Sequence, residues 1–485
     1  MEHLNNNKIL IAPFSPLTQK LSEYLKRDEN IKFIGFIDSN KIGDNIYKKE
    51  DIKNLDFEKL LIFSPNHFLP IYKTLKSYTA SNNIYKVDFI DNQYYFFSKK
   101  EILKQNMQDN ILKKYTKLKK IFLRNLSLTL DNLQIKRELS VFISEDYVDA
   151  NIKHLFLYYI KNNKKAILLT NNSKQQQEFQ KYNLPTAELF SWQGYFYTAL
   201  AKNIYLDHFI LDYLEYLSET QTTIQLWHGV GLKPIQDRSN IHYNYFISTS
   251  DWTNETNFKK VFKADNFLNL GYPRNDILLK KTEDKLDLIL CDMDIYEDIQ
   301  DAIKNDIKTI LYMPTFRENG FESFPLNFST LNENMKEVNA KFYVKLHPYV
   351  LHQYRESIKE QKFSNIIFYN TQGDIYPILK YIDILVTDYS SIAYDFLLLD
   401  RPIIFFNYDY DEYISIRGNK NNNQFLFDYY DYTPGNKVKT QNQLVDEIQL
   451  LLKEKNIPNI RNNIRNIFFD TINVPSCSFI EKEIG

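Results

Sequence analysis

The sequence predicts an α/β protein built from three parallel-sheet units, and three observations predict it. Short apolar, β-favouring runs alternate with helix-compatible stretches along the chain, the signature of βαβ units. At 485 residues the chain exceeds one ordinary domain and suggests three, at roughly 100–200 residues each. Hydrophobic residues make up 44% and charged residues 25%, with 36 Tyr and 35 Phe, a composition that folds around large cores.

Taken in order, "ILIAPF" after Lys8 reads as a buried strand, "SPLTQKLSEYLKR" as a helix and "KFIGFIDSN" as a second strand. "LLIFSP" and "YKVDFID" follow as further strands, so residues 1–98 form a small Rossmann-like accessory domain. Its first turn, "APFSPLT", has no G-x-G-x-x-G, and a structural or docking role outweighs dinucleotide binding. Residues 99–135 form a helical, partly basic linker. Lys113, Lys114, Lys117, Lys119, Lys120 and Arg124 there alternate with Leu, Ile and Phe, a combination suited to an anionic membrane surface or to a solvated inter-domain helix.

A second alternation runs through "LSVFISEDY", "KKAILLTNN", "AKNIYLD", "TTIQLWHG" and "YNYFISTSDW", giving an α/β domain over 136–275. A third, over 276–485, contains "DIKTILYMPTFR", "AKFYVKLHP", "SNIIFYN", "YIDILVTDYSS" and "RPIIFFN" with helices at its end. Two such domains in tandem predict a pair of Rossmann-type domains facing a cleft.

Composition also excludes. Lys+Arg at 60 against Asp+Glu at 61 leaves no global field for nucleic acid. Cys291 and Cys477 offer neither a disulfide framework nor a metal-ligand spacing, which fits a reducing cytoplasm. No signal peptide opens the chain, and no apolar run approaches the roughly 18 residues of a spanning helix.

Ligands of open parallel sheets collect beyond the carboxyl ends of the strands, and four polar motifs stand at that station. His228 follows "TTIQLW", Thr315 and Arg317 follow "TILYM", Lys345 and His347 end "FYVKLH", and Asp388, Ser390 and Ser391 follow "YIDILV". His228 and His347 are the candidate acid–base groups, because imidazole titrates near neutral pH. The chain has only 11 glycines, so Gly229 and Gly231 two apart mark a turn where a substrate can approach the backbone. The serines open a helix, where free N–H groups and hydroxyls suit a phosphate unless they merely cap it. Asp388 would repel a phosphate and is expected to turn inward. Lys233, Arg317, Lys345 and Arg417 can neutralise a diphosphate without a metal.

Together "QLWHGVGLKPI", "GYPRND" at 271–276, "MPTFR", "KLHP", "VTDYSSIAYDFLLLDRPIIFF", the "RG" at Arg417 and "TPG" at 433–435 resemble the CDP-glycerol glycerophosphotransferase family of teichoic-acid-type polymer synthesis, over residues 140–455. The resemblance implies a GT-B-like arrangement, with the acceptor approaching 136–275 and a CDP donor held by 276–485. It implies His228 as general base on the acceptor hydroxyl and His347 as a diphosphate contact or leaving-group stabiliser. Thr315, Arg317, Lys345, Asp388, Ser390, Ser391 and Arg417 fall on the donor side. The implied substrate is CDP-glycerol or a related CDP-alditol, with no cofactor and no metal required, and the product nucleotide is CMP. The implied acceptor is a lipid-linked or polymeric glycan, and the implied location is the cytoplasm, peripheral on the inner face of the membrane. The alternative is a GT-B glycosyltransferase that uses a nucleotide sugar for surface polysaccharide; it would release a nucleoside diphosphate.

Overall fold

The computed structural model describes residues 4, 7–39, 41–64, 67–90, 93–145, 151–207, 214–235, 240–315, 317, 325–346, 363–369, 373–418, 424–453 and 460–485. The chain divides into two compact units, Met1–Leu118 and Lys119–Gly485.

The first unit carries a six-stranded sheet of β1 (Lys8–Ala12), β2 (Lys32–Ile37), β3 (Ile46–Tyr47), β4 (Lys59–Ile62), β5 (Ile84–Ile90) and β6 (Gln93–Phe97), in the order β3-β2-β1-β4-β5-β6. All pairs are parallel except β5 with β6. Alternate side chains of β1 feed two cores: Ile9 and Ile11 enter one face, Leu10 and Ala12 the other, as burial of both faces requires. The turn after β1 has its helix start closed by its own residues, while Phe14 N donates to Asp38 Oδ2 at 3.2 Å and the Phe14 carbonyl accepts from Lys41 Nζ at 3.3 Å. Ser15 Oγ accepts from Thr18 N at 3.2 Å, Ser15 N donates to Thr18 Oγ1 at 2.8 Å, and Thr18 Oγ1 donates to the Pro13 carbonyl at 2.7 Å. This capping box satisfies the orphan donors of helix Pro16–Leu25 locally. A helix spans Lys99–Asn132.

The second unit holds two further sheets, both entirely parallel. The first is formed by β7 (Leu139–Ser144), β8 (Ala166–Thr170), β9 (Thr186–Glu188), β10 (Ala201–Leu206), β11 (Thr222–Gln225), β12 (His242–Ile247) and β13 (Lys263–Leu268), in the order β13-β12-β11-β10-β7-β8-β9. The second contains β14 (Lys308–Tyr312), β15 (Ala340–Val344), β16 (Ile366–Phe368), β17 (Ile384–Thr387), β18 (Ile403–Phe406) and β19 (Asn436–Val438), in the order β16-β15-β14-β17-β18-β19. The strand order reverses between β7 and β10 in one sheet and between β14 and β17 in the other. Those reversals open the crevices in which doubly wound sheets bind ligands.

The last helix, Ser476–Ile484, packs Cys477, Ile480 and Ile484 into the core beneath β7 and β10, with Phe142 and Tyr205. Packing thus departs from the sequence boundary at 276, which counts this helix with the third sheet. The Asp276 carboxylate holds the helix start, accepting from Ser476 N at 2.7 Å and Cys477 N at 2.9 Å. Among the described residues no helix is long and apolar enough to cross a membrane.

Candidate active site

The turn after β11 carries His228. Trp227 has φ 53° and Gly229 φ 146°, so a bulky residue and a glycine both occupy left-handed backbone; the former costs about 1–3 kcal/mol. Side chains from elsewhere hold this conformation. Gln225 Oε1 accepts from Trp227 N at 2.8 Å, and Asn151 Nδ2 donates to the carbonyls of Leu226 and Trp227 at 3.2 and 2.8 Å. Arg274 Nη1 donates to the His228 carbonyl at 2.7 Å.

The imidazole itself stands exposed, its ring 3.9 Å from that of Trp227. Its Nδ1 lies 3.2 Å from the Asp207 carbonyl oxygen at the end of β10. A carbonyl can only accept, so that bond requires Nδ1–H and leaves Nε2 as the basic nitrogen of the neutral ring.

Across from this turn, helix Ile392–Phe396 begins after β17. Ser391 is its N-cap residue, yet its side chain makes no cap hydrogen bond, and Ser390 Oγ stands 3.5 Å from Ile392 N, the outer limit of a bond. Capping therefore accounts poorly for the pair. Ser391 closes on the glycines instead: a Cβ on Gly229 would lie 3.3 Å from Ser391 Oγ, and one on Gly231 3.6 Å from Ser391 Cβ. The His228-Gly229-Gly231 turn and Ser391, read separately in the sequence, meet here.

Asp388 turns inward. Its Oδ1 accepts from the N–H groups of Thr315, at 2.8 Å, and Tyr389; its Oδ2 accepts from Arg317 Nη2 at 2.8 Å. Arg317 also bonds both Asp409 oxygens, at 2.6 and 3.0 Å, and the Thr315 carbonyl at 2.6 Å. Its guanidinium lies over the rings of Tyr389 and Tyr413 at 5.3 and 4.5 Å. The sequence offers Arg317 to a donor diphosphate, and the structure engages it in a buried ion pair that ties the loops after β14, β17 and β18 together. Burial alone would depress the charge on Arg317; the Asp388 and Asp409 carboxylates outweigh it and raise the pKa.

Lys233, two residues past Gly231, belongs to the same electrostatic neighbourhood. Burial lowers its pKa, Asp388 opposes that shift, and Arg417 and Arg317 add to it. Arg417 ends helix Tyr410–Arg417 and is exposed. Thr315 Oγ1 is buried with no hydrogen-bond partner among the described residues. Lys345 Nζ donates to the Gly373 carbonyl at 3.2 Å and lies 5.1 Å from the Tyr369 ring. His347 lies outside the described residues.

Sequence reasoning missed a buried relay beside the His228 turn. Arg274 Nη2 bonds Asp395 Oδ2 at 2.6 Å, Asn275 Nδ2 bonds Asp395 Oδ1 at 3.0 Å, and Tyr376 OH bonds Asp395 Oδ2 at 2.7 Å. Asp374 receives Lys153 Nζ at 2.7 Å and His154 Nε2 at 2.9 Å. Burial would raise the Asp374 pKa, but Lys153 and His154 overcome it and hold the carboxyl well below the usual range. Burial pushes the Cys291 thiol up to about 12. No group of three or more His, Cys, Asp and Glu able to hold a metal occurs among the described residues.

The larger unit is thus an α/β architecture of two parallel Rossmann-type sheets, with the turn after β11 brought against the helix start after β17. Residues 126–470 match the CDP-Glycerol:Poly(glycerophosphate) glycerophosphotransferase family, and the chain belongs to that family. It is 28% identical over 338 residues to the teichoic acid glycerol-phosphate transferase of Staphylococcus aureus, covering 64% of this chain and 82% of that protein. It is 30% identical over 284 residues to the teichoic acid poly(ribitol-phosphate) polymerase of Bacillus spizizenii, covering 54% of this chain but 43% of that one, so the chain spans under half the length of that relative. In fold it is similar to the solved wall teichoic acid polymerase TagF, with a TM-score of 0.60 at 20% identity over 79% of this chain and 96% of that one.

Proposed function

We propose that this protein transfers glycerol phosphate, or a related alditol phosphate, from a CDP-activated donor to a hydroxyl of a teichoic-acid-like or other surface glycan acceptor, releasing CMP. The observation that carries the reading is the approach of the His228 turn to Ser391, because it brings a candidate base and candidate phosphate donors to one point at the carboxyl ends of two facing sheets. The family supports the donor class, and a TagF form has been soaked with CDPG.

In this reading the second sheet of the larger unit holds the donor and the first receives the acceptor. His228 Nε2 removes the proton of the acceptor hydroxyl, whose oxygen attacks the phosphorus bearing the alditol. The bond from that phosphorus to the bridging oxygen breaks, and CMP leaves with the electron pair. Ser390, Ser391 and the backbone beside Gly229 and Gly231 bind phosphate oxygens. Lys233 and Arg417 supply positive charge, while Thr315 and Asp388 set the floor of the donor crevice. Lys345 and His347 contact the diphosphate side. Positioning and charge stabilisation carry such phosphoryl transfers, and we infer that no bound metal is required.

We also infer that the protein works at an anionic membrane surface. Helix Lys99–Asn132 exposes Met107, Ile111, Tyr115 and Leu118 at helical spacing, beside exposed Lys113, Lys114 and Lys117. Lys119 and Lys120 contribute less, since they contact the Phe190 carbonyl and the Tyr216 ring. Changing Lys113 and Lys117 to Glu should weaken binding to anionic vesicles by up to about 1 kcal/mol per lysine at low salt; unchanged binding removes the helix from this role.

The test of the reaction is incubation of the pure protein with a panel of nucleotide-activated alditols and sugars, scored by the nucleotide released. CMP from CDP-glycerol or CDP-ribitol is expected. A nucleoside diphosphate released from a nucleotide sugar would establish the glycosyltransferase alternative.

A further inference from the structure

We infer that Arg274 is the positioning residue that sets the His228 imidazole, and that through Asp395 it makes this setting depend on the facing half of the cleft. The inference rests on the reading of His228 as the base. Arg274 follows β13, whereas Asp395 lies on the helix after β17, so the pair bridges the two parallel sheets.

Arg274 is 4% exposed and Asp395 1%. A buried ion pair is weak evidence for stability, because desolvation offsets its Coulombic gain, so the geometry of this one is what calls for explanation. The guanidinium is used as a fork. Nη1 meets the His228 carbonyl and Nη2 meets Asp395, while the rings of Tyr272 and Tyr376 flank its plane, each 5.1 Å away. A lysine in this place could satisfy either acceptor but could not span both in one plane.

The carbonyl that Arg274 holds belongs to the residue between two left-handed backbone positions, Trp227 and Gly229. Such a conformation persists only where its surroundings over-determine it. Asn151 holds the carbonyls before His228 and also accepts from Arg274 N at 3.2 Å. Arg274 supplies the hold at His228 itself. Tyr376 and Asn275 fix Asp395 in turn, so the ring of the candidate base is oriented by a chain of contacts that ends across the cleft.

The experiment uses the full chain in two measurements, turnover of CDP-glycerol and histidine side-chain NMR, with the His228 signal assigned by its loss in His228→Ala. In Arg274→Lys, kcat should fall by about a hundredfold, the cost of a small misplacement of a reacting group. The Nδ1–H tautomer signature of His228 should be lost. In the His228→Ala background, Arg274→Lys should produce no further loss, because residues acting through one another are non-additive. Tyr376→Phe, which removes one bond to Asp395, should change both readouts in the same direction and by less, and it serves if Arg274→Lys does not fold. A folded variant with wild-type kcat and an unchanged His228 signal overturns the inference, as does a further loss in the double variant equal to that of the single one. If the wild type does not turn over CDP-glycerol, the functional reading fails, and the NMR measurement still decides whether Arg274 sets His228.

Discussion

Two strand-to-helix turns in this molecule show opposite ways of holding a backbone. The turn after β1 satisfies its helix start locally: Ser15 and Thr18 bond each other's N–H groups, and Thr18 reaches the Pro13 carbonyl, with Phe14 tied to distant residues, Asp38 and Lys41. The turn after β11 depends on distant residues, with Asn151, Asp207 and Arg274 each bonding it from more than twenty positions away in sequence. The first turn occupies the donors at its helix start, leaving them unavailable to a ligand. The second carries an imidazole outward and keeps its strained backbone in place from below. A locally closed turn is therefore an element of the fold, and a turn held from outside is where the fold supports chemistry.

The contrast can be tested from its largest consequence downward. His228→Ala should lower turnover by about 10²–10⁴-fold, the usual range for a general base, with melting temperature and donor affinity nearly unchanged; steady-state kinetics and calorimetry measure both. Arg317→Met should act in the opposite sense. By leaving Asp388 and Asp409 buried without their partner it should cost about 3–5 kcal/mol of stability, read by denaturant titration, and a soluble variant of native stability that had lost only donor affinity would return Arg317 to the phosphate. Gly229→Ala places a side chain at φ 146°, with Arg274 and Ser391 3.2 and 3.3 Å away, and should cost about 1–3 kcal/mol together with most of the turnover. Ser15→Ala should cost only about 1 kcal/mol, the value of a helix cap, and leave turnover untouched.

Acid should test a third region. Burial raises the pKa of Asp287, but the hydrogen bonds from Lys161 and Lys280 prevail and bring it down to about 2. Its folded-state pKa is thus depressed, so its stabilising contribution is present above the ordinary carboxylate range and disappears as pH falls from about 4 towards 2. The drop in melting temperature over that interval should be smaller in Asp287→Asn.

The central strands were legible because each is buried on both faces and so reads as an unbroken apolar run, as in "ILIA" and "AILLT". The edges were not. β3, β9 and β19 have only two or three residues, and β13, "KADNFL", is largely exposed and polar, so none carries that signal. β6, the antiparallel partner of β5, escaped notice because βαβ alternation predicts only parallel neighbours. At the site, Gly229 and Gly231 drew attention to His228 in a chain poor in glycine. Nothing local marked Asn151 or Tyr376, and Asp395, though inside the quoted "VTDYSSIAYDFLLLDRPIIFF", carries no assigned role there. Their partners lie 75, 19 and 121 residues away, and a bond over such separations leaves no periodicity to read. Arg274 stood in a quoted motif, yet its fork becomes visible only once two sheets face each other.

The measurement that bears most directly on the account is the nucleotide released when pure protein meets CDP-glycerol and a polymer or glycan acceptor, followed side by side for the wild type and His228→Ala. The account predicts CMP from the wild type, formed only with acceptor present, and its near disappearance in a variant that still binds the donor. Release of CDP, or wild-type CMP formation by His228→Ala at saturating acceptor, would contradict it.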